Sequence, residues 1–142
     1  LFHGWSQEEL FACYLGMAEE ARKHFVNRVL THVQKKFRWP AYWGPNFNCC
    51  PDGDEGANVQ NTLQSMLMQV DGDKIFLLPA WPKDWNGSFK LHAPHRTVLE
   101  GRIENGQVKD LAVCGLPGSF IVDNCDPFRM ACAVVDYPFY VR

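Results

Sequence analysis

Apolar and polar positions alternate along this chain with two different periods. After Ser6, the apolar residues Leu10, Tyr14, Met17 or Ala18, Ala21, Phe25, Val29, Val33 and Phe37 recur every three or four positions, which is one face of a helix. Ser6 with Glu9 three residues later predicts a capping box, and Glu8 adds an acid to the first turn. Lys35, Lys36 and Arg38 crowd the far end, where cations suit the helix dipole, and Pro40 stops the pattern. One unbroken helix from Gln7 to Phe37 would be about 46 Å long, whereas a globule of this chain's length is roughly 37 Å across. Either the helix breaks near Gly16 or it belongs to a larger helical body. The second, with a kink at Gly16, is the expectation.

A second helix is expected after Gly56. Val59, Leu63, Met66, Leu67 and Val70 mark its buried face, and Gln60, Asn61, Gln64 and Ser65 its wet face. Asp71-Gly72-Asp73 ends it. Ile75 to Leu78 then reads as a short buried strand, and Pro79-Ala80-Trp81-Pro82 as a turn. Beyond Trp85 the period becomes two. Ser88 to His92 alternates, Thr97 to Ile103 gives a strand, Glu104-Asn105-Gly106 a hairpin turn, and Val108 to Val113 the return strand. Ser119 to Asp123, Met130 to Val135 and Tyr137 to Val141 are further strand candidates. The fold class is α+β: helices first, then short antiparallel strands at a spacing that suits a β-sandwich.

At 142 residues the chain fits one ordinary domain. Its 46% hydrophobic and 21% charged residues are those of a soluble globular protein. A formal charge of −2 gives no footprint for nucleic acid or anionic lipid, so neither partner is expected. No apolar run reaches the roughly 18 residues of a membrane span. The chain starts on Leu1 rather than on Met, and a piece of a longer protein is expected. Six cysteines are irregularly spaced without a CxxC, so most are expected to be reduced, buried and hydrophobic in behaviour.

The candidate chemistry lies between Trp39 and Trp85. Asp52-Gly53-Asp54-Glu55-Gly56 sets three carboxylates between two glycines just before a helix. Crowded carboxylates raise one another's pKa, which suits a general acid or base. The same residues also suit an N-cap and a solvated turn. Asp-x-Asp-x-Gly matches part of a calcium loop, but the remaining ligands of an EF-hand are missing. Trp39, Tyr42, Trp43, Phe47, Trp81 and Trp85 offer flat faces for sugar rings, or simply pack the joint between helices and strands. Asn46 and Asn48 could hydrogen-bond a polyol or form turns. Five histidines supply no zinc set, and GxSxG, P-loop and dinucleotide fingerprints are absent. No cofactor or metal is implied.

The run from Pro51 through Gln69 into Lys74-Ile75-Phe76-Leu77-Leu78-Pro79-Ala80-Trp81-Pro82-Lys83-Asp84-Trp85 resembles glycoside hydrolases built on an (α/α)6 barrel. The nearest likeness is to the family 95 α-L-fucosidases and their uncharacterised relatives in carbohydrate-degrading bacteria. In that family an acid-bearing loop precedes a barrel helix ending in a Met-Leu-Leu-Gln-like run. A Leu-Leu-Pro-Ala-x-Pro turn and a C-terminal β domain follow. Here the matching features are Asp52 to Gly56, Met66-Leu67-Met68-Gln69 and Leu77 to Pro82.

The resemblance spans about Ser6 to Val113 and implies an inverting hydrolysis of terminal sugars, α-L-fucose among them. A carboxylate base activates water opposite a protonating acid about 6.5–9.5 Å away. Asp54 matches the family's base, with Asp52 the alternative. Trp43, Asn46, Asn48, Glu55 and Trp81 are, from their own chemistry, the candidate substrate contacts. The family's general acid lies upstream of these residues. This chain carries Asp-Gly-Asp-Glu-Gly where the family carries Asp-Gly-Asn-Phe-Gly. The implied layout is barrel helices and acid loop over residues 1–73 and a β-sandwich domain over 74–142. The implied substrate is an oligosaccharide or polysaccharide, met in a secreted or periplasmic setting. The rest of the catalytic domain would be the partner.

Overall fold

The computed structural model describes residues 6–34, 54–72, 74–115, 121–124 and 132–133, with side chains at all of these except 31–34, 54–55, 121–124 and 132–133. The expected features at Trp39, Pro40, Tyr42, Trp43, Asn46, Phe47, Asn48 and Asp52, and the strand at Tyr137 to Val141, lie outside the described residues. The described chain is α+β, with three helices and two small sheets. Its contacts divide into two units, Leu1–Leu67 with Ala80–Pro82, and Met68–Pro79 with Lys83–Arg142.

In the helical unit the long pattern does not make one kinked rod. Helix α1 covers Glu8–Tyr14 and α2 covers Ala18–Gln34. Between them Gly16 adopts φ +69°, the left-handed conformation that costs glycine least. The Gly16 N–H donates to Cys13 O at 3.0 Å and the Met17 N–H to Ala12 O at 2.9 Å. This pair of bonds is a Schellman closure, which satisfies the last carbonyls of α1. The chain then reverses, because Arg28 on α2 reaches Glu9 on α1. In a continuous helix those two would stand about 28 Å apart. The turn also resets the helical phase. Ala21 remains buried, while Tyr14 and Met17 of the expected face are exposed.

The expected capping box does not form. Gln7 occupies the N-cap of α1 without a side-chain cap bond, and Ser6 and Glu9 turn instead to Arg28. Helix α3 covers Asp54–Leu67, so it starts at Asp54 rather than after Gly56. Its buried face is Asn58, Thr62, Met66 and Leu67. Met66 and Leu67 of the expected face are buried, but Val59 is half-buried, Leu63 is exposed, and Val70 is exposed and lies beyond the helix. The physical reason is polar: Asn58 bonds to Gln7 and Ser6, and Cys13 Sγ meets Thr62 O at 3.8 Å. Gln60, Asn61 and Gln64 are exposed as expected.

The second unit begins with another correction. Met68–Asp71 is not the end of a helix but strand β1, antiparallel to β2 at Lys74–Leu77. The chain thus reverses between β1 and β2 at Gly72, with Asp71 opposite Lys74. Strand β2 also pairs in parallel with β6 at Ile121–Asn124, and β6 pairs antiparallel with β7 at Cys132–Ala133. The intervening chain forms the other sheet from β3 (Gly87–Ala93), β4 (Thr97–Glu104) and β5 (Gln107–Cys114). Asn105 and Gly106, at φ +52° and +72°, make the two-residue turn that Glu104 and Gln107 close.

Strand β4 shows why period two was legible. Thr97, Leu99, Gly101 and Ile103 are buried, whereas Glu100, Arg102 and Glu104 are exposed. The exposed face carries cross-strand ion pairs, Lys90 with Glu100 and Arg102 with Asp110. On the buried face Phe89 lies opposite Gly101. A Cβ there would stand 3.1 Å from Phe89 Cζ and 3.3 Å from the Lys109 carbonyl oxygen. Gly101→Ala is therefore expected to destabilise the protein by about 1–3 kcal/mol through overpacking. A chemical denaturation midpoint equal to wild type would show that the ring gives way freely.

Candidate functional site

The sequence placed its acids on an irregular loop, and the backbone puts two of them elsewhere. Asp54 and Glu55 are the first two residues of α3. Anionic side chains are favoured at a helix start, where the peptide dipoles sum to a partial positive charge. Gly56 follows inside the same helix, and nothing lies within 4 Å of a Cβ built on it. Asp52, Trp43, Asn46 and Asn48 fall outside the described residues, so the aromatic and amide part of the expected site has no described geometry.

Trp81 is half-buried, and its turn is fastened to the opposite end of α3. The Ala80 N–H donates to Met66 O at 3.2 Å, satisfying one of the terminal carbonyls of the helix. Ala80 and Pro82 are buried around that contact. Twelve helical residues separate Asp54 from Met66, or roughly 18 Å along the axis. A single sugar ring does not span that distance. The structure brings Asp54 and Glu55 together and leaves Trp81 at the other end of the helix.

The sequence reading missed the most polar feature of the helical unit. Glu9 and Arg28 are 0% and 1% exposed. Arg28 Nη2 donates to Glu9 Oε2 at 3.1 Å, to Ser6 O at 2.7 Å and to Ser6 Oγ at 3.3 Å. Arg28 Nε lies 2.8 Å from Glu9 Oε1, an ion contact whose N–H is not aligned for a hydrogen bond. Asn58 Nδ2 donates to the same Ser6 O at 3.5 Å, and Gln7 Nε2 donates to Asn58 Oδ1 at 3.3 Å. The Ser6 hydroxyl holds the Glu8 carboxyl below the usual carboxylate range; burial opposes this, and the nearby Arg28 charge adds to it. The available signal was spacing. Arg28 stands seven residues after the buried Ala21 and therefore on the same face of α2.

Beside this cluster, Cys13 is a buried thiol in no disulfide, pushed up to about 12 by burial first and by the Glu9 charge second. Cys114 is free and exposed. The thiolate is the reactive form. Alkylation by iodoacetamide at about pH 8 should therefore modify Cys114 and spare Cys13 until the protein is unfolded. Peptide mass mapping reads the outcome, and modification of native Cys13 at the rate of Cys114 would contradict it.

Among the described residues no group of three or more His, Cys, Asp and Glu could hold a metal ion. No helix there is long and apolar enough to cross a membrane. Comparison with family models, with curated proteins and with solved structures finds no match for this chain.

Proposed function

We propose that this chain supplies the terminal helices and acid segment of a glycoside hydrolase catalytic domain of the (α/α)6 barrel type, followed by a β-sandwich. The activity proposed is inverting hydrolysis of a terminal sugar, α-L-fucose being one candidate, from an oligosaccharide or polysaccharide outside the cytoplasm. Asp54 is the proposed base and Asp52 its alternative. The observation that carries the proposal is the order of parts along one helix. Acids open α3 at Asp54–Glu55, the Met66-Leu67 run ends it, and the Ala80 N–H donates to the Met66 carbonyl oxygen in its last turn. The resemblance led us to expect this order of parts, but with the acids on a loop before the helix and with Met68-Gln69 still inside it, where the chain has Asp54 and Glu55 in α3 and Met68-Gln69 in β1. The exposed apolar side chains Phe11, Tyr14 and Leu15 also suit helices that pack within a larger helical body.

The rival is a non-catalytic carbohydrate-binding or structural module whose acids serve only the helix start. The test is Asp54→Asn and Asp52→Asn, made singly in the complete gene product and assayed on aryl glycosides. Loss of turnover in one variant supports the enzyme and identifies its base. Wild-type turnover in both removes the site.

A further inference from the structure

Three helices of the described fold meet at one backbone atom, the carbonyl oxygen of Ser6. It accepts from Arg28 of α2 at 2.7 Å and from Asn58 of α3 at 3.5 Å, immediately before α1 begins. A carbonyl oxygen has two lone pairs, so both bonds are accommodated. Asn58 is bound at its other end as well, its Oδ1 accepting from Gln7 Nε2. An amide held on both its donor and acceptor sides has one orientation, and at 7% exposure water competes little for it. The Ser6 end of the bond is fixed in turn by the Arg28 fork, which Glu9 neutralises. Asn58 stands four residues after Asp54, one helical turn or about 6 Å along the axis.

We infer that Asn58 is a positioning residue: with Ser6 and Arg28 it fixes the first turn of α3, and through it the residue that activates water. This rests on the reading of Asp54 as the base. Proximity effects make such placement count, since a displacement of about 1 Å can cost 10²-fold in rate. The other members of the buried face, Thr62 and Met66, lie further along the helix and hold its body rather than its start.

The experiment pairs hydrogen exchange with kinetics in the complete gene product, comparing wild type, Asn58→Leu, Thr62→Val and Asp54→Asn. Asn58→Leu is expected to speed amide exchange across residues 58–61, whose N–H groups bond back to the carbonyls of the first turn, and to lower kcat about 10–100-fold per folded molecule with KM little changed. Thr62→Val, at a buried position whose hydroxyl has no bonded partner, controls for a general loss of packing and should leave both readouts near wild type. Faster exchange with unaltered kcat, while Asp54→Asn is inactive, would overturn the positioning role and leave the base in place. Unaltered exchange would show that Asn58 anchors nothing. Full turnover in Asp54→Asn would overturn the base and the positioning role together. Should Asn58→Leu fail to fold, Gln7→Ala removes the bond to the amide oxygen and is expected to reproduce both effects in smaller measure.

Discussion

Replacing Arg28 with methionine is expected to lower the unfolding free energy by about 3–5 kcal/mol, the usual cost of stranding one member of a buried ion pair. Glu9 is fully buried, and its carboxylate would be left without the guanidinium that now faces both of its oxygens. Ser6 O would lose its 2.7 Å bond and keep the longer one to Asn58. Arg28→Lys is not a mild version of this change. An ammonium is a point donor, whereas the planar fork of arginine meets Glu9 and Ser6 at once. The double variant Glu9→Leu/Arg28→Met removes both charges while keeping apolar volume. It should recover most of the lost stability, because a buried pair and a well-packed apolar substitute are often close in energy. Urea unfolding followed by helical circular dichroism gives the comparison. A midpoint unmoved by Arg28→Met would mean that the pair is open to water and is not a structural joint.

The same pair explains which parts of the fold could be read beforehand. Strand β4 was legible because every second side chain from Thr97 to Ile103 is buried and the others are charged or half-buried. Its turn was legible because Asn105-Gly106 is one of the few dipeptides that tolerate two consecutive positive φ angles. Hydrophobic counting failed where burial is polar. Glu9, Arg28, Asn58 and Thr62 occupy interior positions that any apolar pattern assigns to solvent. Hence the capping box was read at Ser6 and Glu9, and the buried face of α3 was drawn one position away from Asn58 and Thr62.

The boundary of α3 failed for a different reason. Met66-Leu67-Met68-Gln69-Val70 is apolar enough to continue a helix, and only pairing with Lys74–Leu77 makes its second half a strand. Long-range partners decide such segments, and local propensity does not contain them. At Gly16 the sequence itself carries the break. A glycine followed by a renewed acidic start, Glu19 and Glu20, marks one helix ending and another beginning.

Asp54→Asn is expected to lower kcat about 10²–10⁴-fold, the range associated with a positioned general base. The substitution separates the two roles an acid can have at this place. Asparagine loses only the charge that the start of the helix dipole favours, about 0.3–1 kcal/mol, so the fold should hold and the thermal midpoint should fall only slightly. An amide, however, cannot take a proton from water. If Asp54 serves only the start of α3, turnover and stability both remain near wild type. If it is the base, turnover falls while stability holds, and the acidic limb of the pH–rate profile goes with it, because that limb reports protonation of the base. Asp52→Asn made alongside decides between neighbours two residues apart. An intact Asp54→Asn enzyme with an inactive Asp52→Asn enzyme would move the base to Asp52. Two active enzymes would leave the acids at the start of α3 with a capping role alone.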